Sequence, residues 1–289
     1  MNKNTLMQIQ KALRERPTHV KANKIWQQLH HEENIGTPGS GGLILSESDL
    51  SHLETIYARH SKQSAEHRLP KHSDRMDTAA VYRNEKYSAR NVFADMLVFA
   101  APHATLPLKQ GHVPGGIKGL VPTVMLPELA IADIHKLIVV ENGNMLTRWH
   151  DWHLLLPENW QDALLLYRGH GQNSKQVRQL INLLPENSKL AIYPDFDPAG
   201  LGIAADFAQL RHFSVAIPQN WPQLRRNHPD NQEAQFIRQT QSTIDAALTK
   251  KLQPFPPLTL MLAHLKQQHL ALMQENCLRL GGLQMVEIK

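Results

Sequence analysis

From about residue 131 onward the chain repeats one pattern, and that pattern restricts the fold more than any other feature. IHKLIVVEN, ALLLYRGHGQNS, KLAIYPDFD and HFSVAIPQN are apolar runs that end in polar residues, and the helix-compatible stretches KQVRQLINLL and LGIAADFAQL follow the second and third of them. A strand that is apolar at nearly every position has to be covered on both faces. Strand–helix alternation supplies that cover in an α/β fold built on a parallel sheet. Ligands of such sheets gather beyond the carboxyl ends of the strands. The polar residues here fall at those ends: Glu141, then Arg168 with Gly169–His170–Gly171, then Asp195 and Asp197.

The stretch LAIYPDFDPAG (190–200) is the most informative of the strand ends. Hard divalent cations prefer oxygen ligands and keep several waters, so one or two carboxylates suffice to hold Mg²⁺. Asp195 and Asp197 fit that role, with Phe196 packing inward, Pro198 ending the strand, and Gly200 letting the next helix or a phosphate approach closely. Glu141 is a candidate third ligand or a general acid/base. An acidic turn after a buried strand fits the same residues. Arg168 suits a scissile phosphate through bidentate geometry, or a bridge to a rim carboxylate. His170 reads as a proton shuttle or a loop histidine, and Lys175 as a DNA contact or a solvated residue. Trp149, Trp152 and Trp160 read as packing groups.

Earlier in the chain, residues 4–30 carry helical apolar spacing interrupted near Pro17. NIGTPGSGG (34–42) reads as a breaker, and GLILSESDLSHLETIYARH as a short apolar segment leading into a helix capped by Ser46 or Ser48. This succession fits a small DNA-binding module such as a winged helix, and equally a generic helical domain. Lys3, Lys11, Arg14, Arg16, Lys21 and Lys24 crowd the first 24 residues with Glu15 as the only acid among them. Lys21 and Lys24 are the candidate phosphate contacts there, and Lys62, Arg68, Lys71, Arg75, Arg83, Lys86 and Arg90 form a second basic stretch. The expected organisation is a helical region over 1–75, a β-rich connecting region over 76–130, and a catalytic α/β domain over 131–289. The single cysteine, Cys277, excludes an intrachain disulfide framework. No apolar run approaches the roughly 20 residues that span a bilayer. A cytoplasmic protein without membrane contact is the expectation.

A strand-end glutamate in LIVVENGN followed by the DxDxxG of DFDPAG resembles the Toprim domain, shared by DnaG-type primases, type IA and type II topoisomerases and several nucleases. The resemblance implies Glu141 as acid/base or metal ligand, Asp195 and Asp197 as Mg²⁺ ligands with Mn²⁺ as an alternative, and phosphodiester chemistry on DNA. A winged-helix-type region placed first, the Y-R-G of LLLYRGHG and the D-x-D-P-x-G form are similar to the topoisomerase VI A subunit and to the Wadjet plasmid-defence nuclease JetD. That likeness implies a homodimer, an SMC-like condensin complex as partner, and defence against plasmids or phage. MQENCLRL is similar to a helix with a Gln-Glu pair in such nucleases, which implies Glu275 as an extra acidic residue. The chain departs from topoisomerase VI A at its nucleophile. Tyr82 in VYRNEKY is the most suggestive tyrosine, but its context does not match. Metal-assisted hydrolysis is favoured over tyrosine transesterification, and a non-catalytic DNA- or partner-binding scaffold is the third reading.

Overall fold

The computed structural model describes residues 1, 3–67, 80–82, 95–169 and 172–288. The chain divides into two compact units, Met1–Val92 and Phe93–Lys289.

The N-terminal unit runs α1 (Lys3–Glu15), β1 (His19–Lys21), α2 (Lys24–Glu33), β2 (Thr37–Gly39), β3 (Gly42–Ile44) and α3 (Glu47–His60), its strands forming an antiparallel sheet in the order β1-β3-β2. Ser46 caps α3 in a reciprocal box with Asp49, so the first of the two expected serines is the cap. The stretch 34–42 is more than a breaker: it supplies β2 and the hairpin turn into β3. Glycine is required here. A Cβ on Gly42 would lie 2.0 Å from the carbonyl oxygen of Val20, so only a bare backbone lets β3 pair with β1. Leu6, Ile9, Trp26, Leu29, Leu53 and Ile56 fill the core of this unit. Tyr82 is buried in the same core, edge-on to Tyr57, with its hydroxyl donating to Gln10 Oε1 at 3.4 Å. Arg68, Lys71, Arg75, Arg83, Lys86, Arg90 and Tyr87 lie outside the described residues.

The larger unit continues with β4 (Met96–Ala100), β5 (Leu106–Leu108), β6 (Gly111–Val113), β7 (Thr123–Met125), β8 (Lys136–Val140), α4 (Gly143–Thr147), β9 (Leu164–Tyr167), α5 (Gln172–Leu183) and β10 (Lys189–Tyr193). It ends with α6 (Pro198–Ala208), β11 (Ser214–Pro218), α7 (Glu233–Gln239), α8 (Ser242–Leu252), α9 (Pro256–Gln268), α10 (Gln274–Cys277) and β12 (Leu283–Glu287). Seven strands form one mixed sheet in the order β12-β11-β10-β8-β9-β4-β7. The inner four, β11, β10, β8 and β9, are parallel, and β4, β7 and β12 run antiparallel to their neighbours. From residue 95 on, the stretch expected as a connecting region therefore belongs to the larger unit: β4 and β7 extend its sheet beyond β9, and among the described residues only the β5–β6 hairpin stands apart.

Period-two alternation sends successive residues of the parallel strands into two cores. Leu137, Val139, Leu164, Leu166, Leu190 and Ile192 face α5, α6 and α9. Ile138, Val140, Leu165, Ala191 and Tyr193 face the other way, onto α4 and the indoles of Trp149, Trp152 and Trp160. The tryptophans are packing groups, and Trp152 Nε1 donates to the carbonyl of Met145 at 2.8 Å. A fully buried aliphatic chain contributes about 1.5–3 kcal/mol, which explains why the interior positions of these strands carry no polar residue. Among the described residues no helix is long and apolar enough to cross a membrane.

The strand order creates a switch point. From β8 the chain crosses to β9 on one side, then returns past β8 to β10 on the other and continues outward to β11. Adjacent strands whose connections leave in opposite directions open a crevice at their carboxyl ends, and here those strands are β8 and β10. Just beyond β10 the chain turns into α6 so tightly that a Cβ on Gly200 would lie 2.1 Å from the carbonyl oxygen of Asp195. The glycine of DFDPAG thus accommodates the motif's own backbone. Gly200→Ala is expected to destabilise the larger unit by at least about 2 kcal/mol, read as a lowered denaturation midpoint by circular dichroism.

Candidate functional site

Three neighbouring strands deliver one polar side chain each to the crevice. Glu141 directly follows β8, and its N–H extends the ladder by donating to the carbonyl of Tyr193 at 3.1 Å. Arg168 directly follows β9, its N–H donating to the carbonyl of Val140 at 2.9 Å. Asp195 lies two residues past β10, and its N–H donates to Glu141 Oε2 at 3.1 Å. Arg168 Nη2 stands 3.4 Å from Glu141 Oε1. These groups line a cleft of about 650 Å³ together with Asn142, Asn144 and Tyr167. The structure thus brings together Glu141, Arg168 and Asp195, which are far apart in sequence.

The electrostatics of the cleft are unfavourable to its own charges. Burial raises the pKa of Glu141, and repulsion from Asp197 adds to it, against the opposing pull of the Asp195 N–H and Arg168. Burial also raises Asp195, and with the charges of Glu141, Asp197 and Glu275 it reaches about 7. Among the described residues Arg168 is the one cation lining the cleft with these acids, and its buried Nε has no hydrogen-bond partner there.

Asp197 has a different position. It is buried and caps α6, Oδ1 accepting from the Gly200 N–H at 2.7 Å. Its Oδ2 accepts from Gln235 Nε2 at 3.0 Å and Gln239 Nε2 at 2.7 Å, two amides one turn apart on α7. Gln274, wholly buried, binds the two strand ends together. Its Nε2 donates to the Tyr193 carbonyl at 2.6 Å, its Oε1 accepts from the Asn142 N–H at 2.8 Å, and its own N–H donates to Asp195 Oδ1 at 2.8 Å. Next to it, Glu275 accepts from Asn142 Nδ2. The residues that sequence reasoning missed are these amides: Gln235, Gln239, Gln274 and Asn142. An isolated glutamine carries no periodicity and no motif, and only the Gln-Glu pair quoted for Glu275 pointed near one of them.

Lys175 is exposed in the first turn of α5 and does not line the cleft. Lys21 and Lys24 are exposed at the end of β1 and the start of α2, in the N-terminal unit. His170 lies outside the described residues.

Among the described residues no three His, Cys, Asp or Glu side chains converge as a ready ligand set. The residues nonetheless suit Mg²⁺, which binds through one or two carboxylates and keeps its waters. Asp195 and Glu141 both line the cleft, and Asp195 Oδ2 has no hydrogen-bond partner among the described residues. Asp197, with three donors already on its carboxylate, supports the turn from behind.

Two outcomes follow from this geometry. The folded-state pKa of Asp195 lies above its ordinary value of 3.8, so its contribution to stability is complete below about pH 4 and is lost as the pH rises through about 7. Asp195→Asn is expected to stabilise the protein by roughly 2–4 kcal/mol at pH 8, with the difference vanishing near pH 4, measured by urea denaturation across pH. Gln274→Ala takes the acceptor from the Asn142 N–H and one of the two donors from the Tyr193 carbonyl, and is expected to cost roughly 1–3 kcal/mol at any pH in that range, by the same measurement.

No curated protein and no solved structure matches the chain significantly. Residues 94–282, well over half of the chain and nearly all of the larger unit, match the family described as Domain of unknown function (DUF7281). Every residue of the cleft lies inside the matched region, and the chain is a member of that family.

Proposed function

We propose that this protein is a Mg²⁺-dependent DNA endonuclease of Toprim type that hydrolyses phosphodiester bonds. The observation that carries the reading is the juxtaposition of Glu141 and Asp195 at adjacent parallel strand ends on the switch point, with Arg168 3.4 Å from Glu141. In the proposed mechanism Arg168 holds a phosphate oxygen through its guanidinium, using the nitrogen now shared with Glu141. Glu141, its pKa raised by burial, accepts the proton of the attacking water. Asp195, fixed by the Gln274 N–H, keeps Oδ2 for the cation. A bound Mg²⁺, or Mn²⁺ in its place, supplies Lewis-acid polarisation of the phosphodiester and stabilises the leaving oxygen.

Water is the favoured nucleophile because Tyr82, the candidate for transesterification, is buried with its hydroxyl bonded. The N-terminal unit is read as a winged-helix-type DNA-binding module, its β2–β3 hairpin as the wing, with Lys21 and Lys24 as phosphate contacts. A homodimer cutting both strands, an SMC-like condensin partner, a cytoplasmic site of action and a role against plasmids or phage rest on the sequence resemblance.

The test is plasmid cleavage with Mg²⁺ or Mn²⁺ by wild type and Asp195→Ala, followed by protease treatment, with Mg²⁺-dependent thermal shifts in parallel. The expected result is cutting that falls at least 100-fold in the variant, ends free of protein, and a Mg²⁺-induced rise in Tm that the variant lacks. Protein-linked ends would establish the transesterase. DNA binding without cleavage, and without a Mg²⁺ shift, would establish the scaffold.

A further inference from the structure

A second pocket of about 560 Å³ adjoins the cleft on the other side of α4, with Asn144 lining both. Its other walls include Arg148, Glu275, Asn276 and Arg279. The two arginines are 131 positions apart in sequence and meet here only because α10 returns to the strand ends. Their side chains are 72% and 76% exposed, so their charge is available to a ligand. Each is also oriented from behind by a carboxylate. Arg148 directs Nε and one Nη to Asp151 at 2.7 Å, leaving its other Nη without a partner among the described residues, and Arg279 Nη1 lies 3.7 Å from Asp230. Exposed ion pairs of this kind contribute little to stability and yield readily to a competing anion. The one acid in the wall, Glu275, already accepts from Asn142 Nδ2 on the cleft side.

We infer that this pocket is a phosphate subsite for the nucleic-acid strand whose scissile bond lies in the cleft. The proposal rests on the nuclease reading and adds to it the direction in which the strand runs. Two arginines and two asparagine amides form a donor-rich surface suited to phosphodiester oxygens. The pocket and the cleft adjoin along α4 and share Asn144 in their linings. The engaged phosphate therefore belongs to a nucleotide near the scissile one on the same strand. A nucleoside monophosphate carries a single phosphate and cannot occupy both positions, so the expected ligand is a polynucleotide backbone.

The experiment is fluorescence anisotropy of the full chain with a labelled DNA duplex over a salt series, comparing wild type, Arg148→Ala/Arg279→Ala and the exposed control Lys250→Ala, with Mg²⁺ thermal shifts on each. The expected result is at least a tenfold loss of affinity in the double variant at 100 mM salt, and a log–log salt slope smaller by about 2. Lys250→Ala is expected to match wild type, and all three to keep the Mg²⁺ shift. Wild-type affinity and slope in the double variant would overturn the subsite and leave the nuclease reading intact. Loss of the Mg²⁺ shift in the double variant would mark its defect as structural and likewise overturn the subsite. A wild-type protein that binds no DNA would overturn both.

Discussion

Gln274 is the interaction on which the rest of the site depends. A parallel sheet ends its strands without a turn to join them, so the backbone groups beyond the last rung need partners from elsewhere. One buried side chain supplies them here, accepting from the residue after Glu141 and donating to the end of β10. Its own N–H adds a third bond, to Asp195. Two further backbone bonds between Phe196 and Leu272 pin the turn between the aspartates to the same returning segment. The spacing of Glu141 and Asp195 is thereby fixed by groups that take no part in the proposed chemistry.

That arrangement brings like charges together in a poorly hydrated place, which is costly unless something compensates. Arg168 offsets part of the repulsion on Glu141, and among the described residues the Gln274 N–H is the one hydrogen bond that relieves Asp195. A site that retains such a cost without using it for stability is typical of positions kept for function. The proposed cation supplies the missing positive charge.

Much of this was legible in the sequence, and for a definite reason. The runs LIVV, LLLY and LAIY are buried on both faces, so composition alone marks them as strands of a covered sheet, and their polar ends mark the rim. What could not be read was anything decided by long-range pairing. Met96–Ala100 and Thr123–Met125 are short and look like isolated strands, and only their pairing with β9 and with each other places them in the sheet. The hairpin at 37–44 was concealed by its glycines, which as local signals mean interruption and in the fold permit close strand contact. Asp197 looked equivalent to Asp195 because the motif repeats the residue type. Its different surroundings come from α7, some 40 residues away in the chain.

The embedding of Asp197 bears on how genetic data for the DxD motif should be interpreted. With three donors converging on one carboxylate, its removal strands two glutamine amides and the first turn of α6 at the same time. Loss of function on replacing it therefore carries little diagnostic weight, since a chemical defect and an architectural one give the same phenotype. The two aspartates of the motif are unequal witnesses: Asp195 can testify about chemistry, and Asp197 chiefly about whether the protein is intact.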